Sequence, residues 1–162
     1  MLDLSKHIVL VTGASGGIGS QIAREVARAG ASLVLHDFGL AAAVQALKAE
    51  LEAMQTPVLL VEGDLTEAAT VAGIARQIDT RFGRLDVLVN NAGASPNKMP
   101  FNELSPETWD RVLAINLRSV FLVTQACLPL LEKSARGRVI NISPCAARDR
   151  RRLAHGCRHS WQ

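Results

Sequence analysis

The chain predicts an α/β protein built on a doubly wound parallel sheet, and two observations carry that expectation. Short apolar runs of strand length alternate with longer stretches whose apolar residues recur at helical spacing, the pattern of β-α units feeding one parallel sheet. A glycine-rich segment, Thr12-Gly13-Ala14-Ser15-Gly16-Gly17-Ile18-Gly19, lies between the first such strand and the first such helix. Glycine there lets the backbone bend with positive φ and lets a diphosphate approach without meeting a Cβ, while the helix N-terminus offers free N–H groups.

The elements follow in order. Strands are expected at residues 8–11, 32–35, 58–61, 85–89 and 138–142, each short and nearly continuous in apolar character, as strands buried on both faces should be. Ile18, Ile22 and Val26 recur every four residues and predict a first helix with that stripe facing the sheet. Val44, Leu47, Leu51 and Met54 predict the second, and Val71, Ile74, Ile78 and Phe82 the third. Gly30 and Gly83 stand just past helix ends, where a left-handed residue is wanted. Ser105-Pro106-Glu107 places a cap, a first-turn proline and an acid at the start of a fourth helix, residues 106–131. Its second half is apolar nearly all round, including Phe121, Leu128 and Leu131, and is expected to need cover on more than its sheet face. A homo-oligomer through this helix is the expectation; a helix deep in a larger core is the alternative.

Composition sets the outer limits. With 162 residues, 48% hydrophobic and 20% charged, the chain reads as one soluble domain. Its net +3 is concentrated: Arg148, Arg150, Arg151, Arg152 and Arg158 against Asp149 give residues 145–162 a net +4, leaving −1 for the rest. A globally basic surface for nucleic acid is therefore not expected. No apolar run approaches the roughly 20 residues of a membrane span, so no membrane partner and a cytoplasmic location are expected. Cys127, Cys145 and Cys157 show no C-x-x-C spacing and read as free thiols, with no metal site.

The spacing of Thr12, Gly13, Gly17 and Gly19 resembles the short-chain dehydrogenase/reductase family, and further motifs arrive in that family's order. These are Asp64 after the third strand, Asn90-Asn91-Ala92-Gly93 at the end of the fourth, Asn116 within the long helix, and the strand ending Asn141-Ile142-Ser143. The resemblance covers residues 1 to about 143. It implies a Rossmann-like sheet of order 3-2-1-4-5, truncated after the fifth strand, that binds a nicotinamide dinucleotide at the carboxyl ends of its strands. It also implies cofactor-binding roles for Gly13, Ser15, Gly17, Ile18, Gly19, Asp37, Asp64, Leu65, Asn90, Ala92 and Gly93. Asp64 would bond the adenine amino group or cap the turn before Thr66-Glu67. Asp37 would accept the ribose 2′-hydroxyl and repel a 2′-phosphate, favouring NAD over NADP, or would simply start the turn before Gly39. Gly16 stands where NADP-using relatives often carry a basic residue.

The family's catalytic groups are an Asn, a Ser, a Tyr and a Lys. Asn116 matches the first, as an organiser of a relay water or as a satisfied polar residue within its helix. Ser143 falls one residue short of the usual serine position, which is Pro144 here. The chain contains no tyrosine and no lysine after Lys133. A phenol moves the substrate proton at neutral pH only with a nearby ammonium to lower its pKa, so an oxidoreductase of carbonyl and alcohol substrates is expected by descent, inactive as written. The alternative is a non-catalytic nucleotide-binding module acting through a partner subunit. Residues 1–143 read as the dinucleotide-binding domain. Residues 144–162 read as a divergent, irregular basic tail whose composition fits a shifted reading frame; a genuine basic arm for an acidic partner is the alternative.

Overall fold

The computed structural model describes residues 3–94 and 101–143, without the side chain of Phe101. The expectations placed on 144–162, including Cys145 and Cys157, lie outside the described residues.

Five strands, β1 (Ile8–Val11), β2 (Ser32–Asp37), β3 (Val58–Glu62), β4 (Val87–Asn90) and β5 (Arg138–Asn141), form one sheet in the order β3-β2-β1-β4-β5. Every pairing is parallel, with Val9 opposite both Leu33 and Val87, and Val87 opposite Arg138. Parallel neighbours need crossover connections, and the sequence supplies them as α1 (Gly17–Arg28), α2 (Ala41–Ala53), α3 (Ala68–Phe82) and the pair α4 (Pro106–Leu113) and α5 (Ser119–Glu132).

Side chains alternate across a strand, so each strand feeds both faces of the sheet. Ile8 and Leu10 of β1 point toward α3 and α5, where Val71, Ile74, Ile78, Val123 and Cys127 meet them. Val9 and Val11 point the other way, toward Ala23 and Ala27 of α1 and Val44, Leu47 and Leu51 of α2. Continuous apolar runs in β1 and β2 are thus the direct consequence of burial on both faces. Cys127 is a free thiol whose burial pushes its pKa up to about 11, which keeps it protonated.

Two helix faces differ from the sequence expectation. Ile18 is 62% exposed, and α1 instead turns Gly19, Ala23 and Ala27 to the sheet, with Ile22 and Val26 half-buried at its flanks. The reason is proximity: a Cβ on Gly19 would overlap the Gly13 carbonyl oxygen and come within 2.7 Å of Asn91 Nδ2, so only the smallest residues fit that face. Met54 lies beyond the end of α2 and is exposed. Gly30 (φ +90°) and Gly83 (φ +74°) do take the left-handed conformation past their helices.

The 106–132 stretch is continuous but not uniform. Ser105 caps it by accepting from the Thr108 N–H at 3.2 Å, Pro106 fills its first turn, and a π-turn at Ala114–Arg118 separates α4 from α5. By length and composition alone this stretch could span a bilayer, with a mean hydropathy of 1.5 over its most apolar window. Its Val123, Cys127, Leu130 and Leu131 nevertheless pack into the sheet's core, as a covering helix does. Leu131 is buried, whereas Phe121 and Leu128 are 59% and 48% exposed. β5 is exposed along its whole length, including Val139 and Ile140.

Candidate functional site

The carboxyl ends of β1, β2, β3 and β4 converge on the glycine-rich turn. Gly13 sits at φ +62°, and a Cβ there would come within 2.9 Å of the Ala92 Cα, so the turn after β1 lies directly on the backbone that follows β4. Thr12 and Asn91 fix that contact. The Thr12 hydroxyl accepts from the Asn91 and Ala92 N–H groups, both at 2.9 Å, while the Asn91 amide donates to the carbonyls of Thr12 (2.9 Å) and Gly13 (3.1 Å).

Beyond this clamp α1 begins without a side-chain cap. The N–H groups of Gly17, Ile18 and Gly19 have no acceptor among the described residues, and a Cβ on Gly17 would meet nothing within 4 Å. Unpaired helix N-terminal donors carrying a partial positive charge, beside open space at a glycine, fit a phosphate-bearing ligand. Ile18, exposed at the same helix start, flanks that space.

Asp37 ends β2 and is almost fully buried. Its carboxylate accepts from the Ser15 hydroxyl and, at 2.9 Å, from the Leu40 N–H, so the same group that faces the glycine-rich turn also shapes the turn into α2. Both sequence readings of Asp37 are therefore compatible in one geometry. Asp64 behaves alike. Its Oδ1 accepts from the Thr66 N–H (2.8 Å) and hydroxyl (2.7 Å), bonds that hold its carboxyl below its usual pKa, while Oδ2 accepts no hydrogen bond among the described residues. Leu65 buries its side chain in the core, leaving only its backbone for the cleft.

The β4 end supplies the floor. Asn90 is buried and donates to Thr124 Oγ1 (3.2 Å) and Asn141 Oδ1 (2.9 Å), tying β4 to α5 and β5. Asn116 lies in the π-turn. Its Oδ1 accepts from the Ala94 N–H (3.2 Å), and its Nδ2 donates to the carbonyls of Ala94 (2.7 Å) and Val112 (2.8 Å). Gly93 permits this approach, since a Cβ there would stand 2.8 Å from Asn116 Oδ1. Ser143 lies exposed beyond the end of β5. Sequence reasoning passed over two contributors: Asn91, quoted only as part of its motif, and His36, whose ring lies between the β1 turn and the β3 end.

A parallel sheet of this order with a glycine-rich β1-α1 turn defines a Rossmann-like nucleotide-binding fold. The comparisons narrow that class. The family model described as "short chain dehydrogenase" matches residues 7–155, somewhat beyond the stretch its motifs mark. A D-beta-hydroxybutyrate dehydrogenase of Rhizobium meliloti is 35% identical over 135 residues, 83% of this chain and 52% of that protein. An uncharacterized oxidoreductase of Bacillus subtilis is 36% identical over 140 residues, 86% of this chain and 54% of its own length. Among solved structures, a 7α-hydroxysteroid dehydrogenase complexed with NADH and 7-oxo glycochenodeoxycholic acid superposes with a TM-score of 0.84 at 30% identity, covering 92% of this chain and 57% of that one. A short chain dehydrogenase from Shigella flexneri complexed with NADP gives a TM-score of 0.84 at 32% identity, covering 93% and 64%. The chain belongs to the short-chain dehydrogenase family, and it spans about half the length of the curated relatives it matches.

Proposed function

We propose that this chain is the NAD-binding part of an oxidoreductase acting on carbonyl or alcohol substrates, and that the 162-residue chain itself binds the dinucleotide without turning it over. The observation that carries the binding half is the β1-α1 turn, where three free N–H groups and an unobstructed Gly17 open the helix two residues after Ser15, whose hydroxyl donates to the Asp37 carboxylate. Gly17, Ile18 and Gly19 would hold the diphosphate, Asp37 and Ser15 the adenosine ribose, and Asp64 Oδ2 with the Leu65 backbone the adenine. Ala92 and Gly93 would wall the cleft, with Asn90 fixing its floor. Bound NAD supplies the hydride carrier. A carboxylate at the end of β2 favours a ribose bearing a free 2′-hydroxyl over one bearing a phosphate dianion, and Gly16 provides no charge to attract the latter.

The support for absent turnover is chemical. Hydride transfer to a carbonyl, or from an alcohol, needs a proton moved at the substrate oxygen, and the chain holds no tyrosine to move it. Asn116 has both amide hydrogens committed and keeps only one Oδ1 lone pair for a water, and the Ser143 hydroxyl can donate a hydrogen bond, but neither is an acid or base near neutral pH.

A second reading rests on one surface. Trp109, Leu113, Leu117 and Phe121 recur every fourth residue along 106–132 and are all exposed, Leu117 at 65%. Such an apolar stripe suits a second copy of the chain, making a homo-oligomer, or another subunit for which this chain serves as a nucleotide-binding module. A cytoplasmic setting without membrane or nucleic-acid partners completes the proposal.

Calorimetry with NAD and NADP tests the first reading. NAD is expected to bind detectably and more tightly, and Asp37→Ala to narrow the gap. Tighter binding of NADP would overturn the assignment of Asp37, and cofactor oxidation at an Asn116-dependent rate would overturn the absence of turnover.

A further inference from the structure

The β2 end contains a buried imidazole that no cofactor contact accounts for. His36 is 2% exposed. Its Nε2 lies 2.9 Å from the Gly63 carbonyl oxygen, which can only accept, so Nε2 carries the proton. Its Nδ1 lies 3.4 Å from the Gly13 nitrogen, whose N–H can only donate, so Nδ1 must be bare. Both partners select one neutral tautomer. The backbone repeats the tie, with the Ala14 N–H donating to the His36 carbonyl at 2.8 Å and the Gly63 N–H to the Asp37 carbonyl at 3.3 Å.

We propose that His36 is a positioning residue whose neutral Nε2–H tautomer holds the glycine-rich turn in its ligand-binding shape, and that protonation of Nδ1 releases the turn and weakens dinucleotide binding. The part of this that concerns dinucleotide rests on the proposed function above. An imidazolium would point a second N–H at the Gly13 N–H, replacing attraction with repulsion at the left-handed residue from which the turn departs. The charged groups facing the ring are Asp37 on its own strand and Glu62 and Asp64 at and beyond the end of β3, while the β1 turn contributes none. Burial lowers the His36 pKa below its ordinary 6.5, outweighing the Gly63 hydrogen bond and the three carboxylates, which favour the charged form. The switch therefore lies below pH 6.5.

The sign follows from linkage. A histidine whose folded pKa is depressed contributes stability that is full above about 6.5 and is lost as pH falls from there through the folded value. If the bound state admits only the neutral ring, the dissociation constant rises about tenfold for each pH unit below that value.

The test uses the 162-residue chain with ¹⁵N-labelled histidine. NMR at neutral pH is expected to show His36 as the Nε2–H tautomer, titrating below 6.5. Calorimetry is expected to show NAD affinity falling with pH in the wild type. His36→Asn, which keeps an acceptor for the Gly13 N–H and cannot titrate, should retain near-neutral affinity within a few-fold and flatten the acid limb. A Nδ1–H tautomer, an imidazolium at pH 7, or parallel pH profiles for wild type and His36→Asn would each overturn the proposal. Absence of NAD binding at every pH would overturn the proposed function instead. The tautomer, and an acid-side loss of melting temperature that His36→Asn removes, would then still decide whether His36 holds the turn. Should His36→Asn fail to fold, the wild-type tautomer and titration decide alone.

Discussion

Gly17 and Gly19 are two residues apart on the same helix start, and the structure assigns them opposite responses to a single methyl group. In Gly19→Ala the new Cβ would overlap the Gly13 carbonyl oxygen and stand 2.7 Å from Asn91 Nδ2 and 3.0 Å from the Ala14 Cα. That carbonyl is already committed, accepting from the Gly16 N–H at 3.2 Å and from Asn91 at 3.1 Å, so relief requires α1 to lift or the clamp to break. Overpacking of about 1–3 kcal/mol and the loss of one or two hydrogen bonds of about 1 kcal/mol each outweigh the roughly 0.5–1 kcal/mol that alanine gains over glycine in a helix. The net cost is about 1–4.5 kcal/mol, or roughly 3–14 °C in melting temperature at about 3 °C per kcal/mol for a domain of this size. In Gly17→Ala the methyl meets nothing within 4 Å, so only the helix gain remains and the melting temperature should rise by roughly 1–3 °C. Under the proposed cofactor reading that same methyl occupies the diphosphate's space, so Gly17→Ala should weaken NAD binding while stabilising the chain. Thermal denaturation followed by far-UV circular dichroism, with calorimetry for NAD, reads both. Equal melting temperatures for the two variants would refute the packing argument, and unchanged NAD affinity in Gly17→Ala would refute the placement of the diphosphate.

Three further perturbations probe other parts of the fold. Gln55 sits at φ +61° just past α2, where its N–H bonds the Glu52 carbonyl, so Gln55→Gly should relieve left-handed strain and stabilise by about 0.5–1 kcal/mol; a lower melting temperature would contradict this. Asp86 accepts from the Ile8 N–H (2.8 Å) and the Ser134 hydroxyl (2.6 Å), and although burial raises its pKa, those bonds and Arg84 together bring it below 3.8. Asp86→Ala should cost about 2–3 kcal/mol at neutral pH, and because a depressed carboxylate contributes stability above its unfolded pKa that is lost as pH falls through the folded value, the gap between wild type and variant should begin to narrow in acid melts below about pH 4. Phe121→Glu places a charge in the exposed stripe of 106–132, and sedimentation should show a wild-type oligomer dissociating; a wild type that is already monomeric would remove the stripe's proposed role.

What was legible in the sequence divides along a physical line. Strand positions and helix caps could be read because apolar runs, left-handed glycines and a Ser-Pro-Glu start leave local traces within a few residues, whereas the sheet order came from the family resemblance alone. The face of α1 could not, because hydrophobic periodicity weights Ile18, Ile22 and Val26, whereas close approach to the β1 turn selects Gly19, Ala23 and Ala27 for smallness. The π-turn left no trace either. There the Asn116 amide takes the Val112 carbonyl and the Ser119 hydroxyl takes the Ile115 carbonyl, so side chains compete with the backbone ladder in a way composition does not reveal. His36 and Asn91 were missed as actors for a related reason: their partners lie between 23 and 79 residues away, and only the assembled sheet brings them together.

The supports of the cleft fall into two groups. Thr12, His36, Asp37 and Asn91 tie the ends of β1 to β4 to one another, and every partner they use lies within Thr12–Ala92. Asn90 and Asn116 instead reach toward α5, β5 and the residues after Gly93, the side where β5 is exposed along its length and Ser143 lies open. A ligand held by the first group needs nothing from the second to keep its anchors in place. Under the proposed reading, the first group frames the turn that would hold the diphosphate and adenosine, while Asn90 and Asn116 shape the floor and far wall of the cleft. On that proposal, binding and turnover would be separable, because the bonds of the first group do not depend on those of the second.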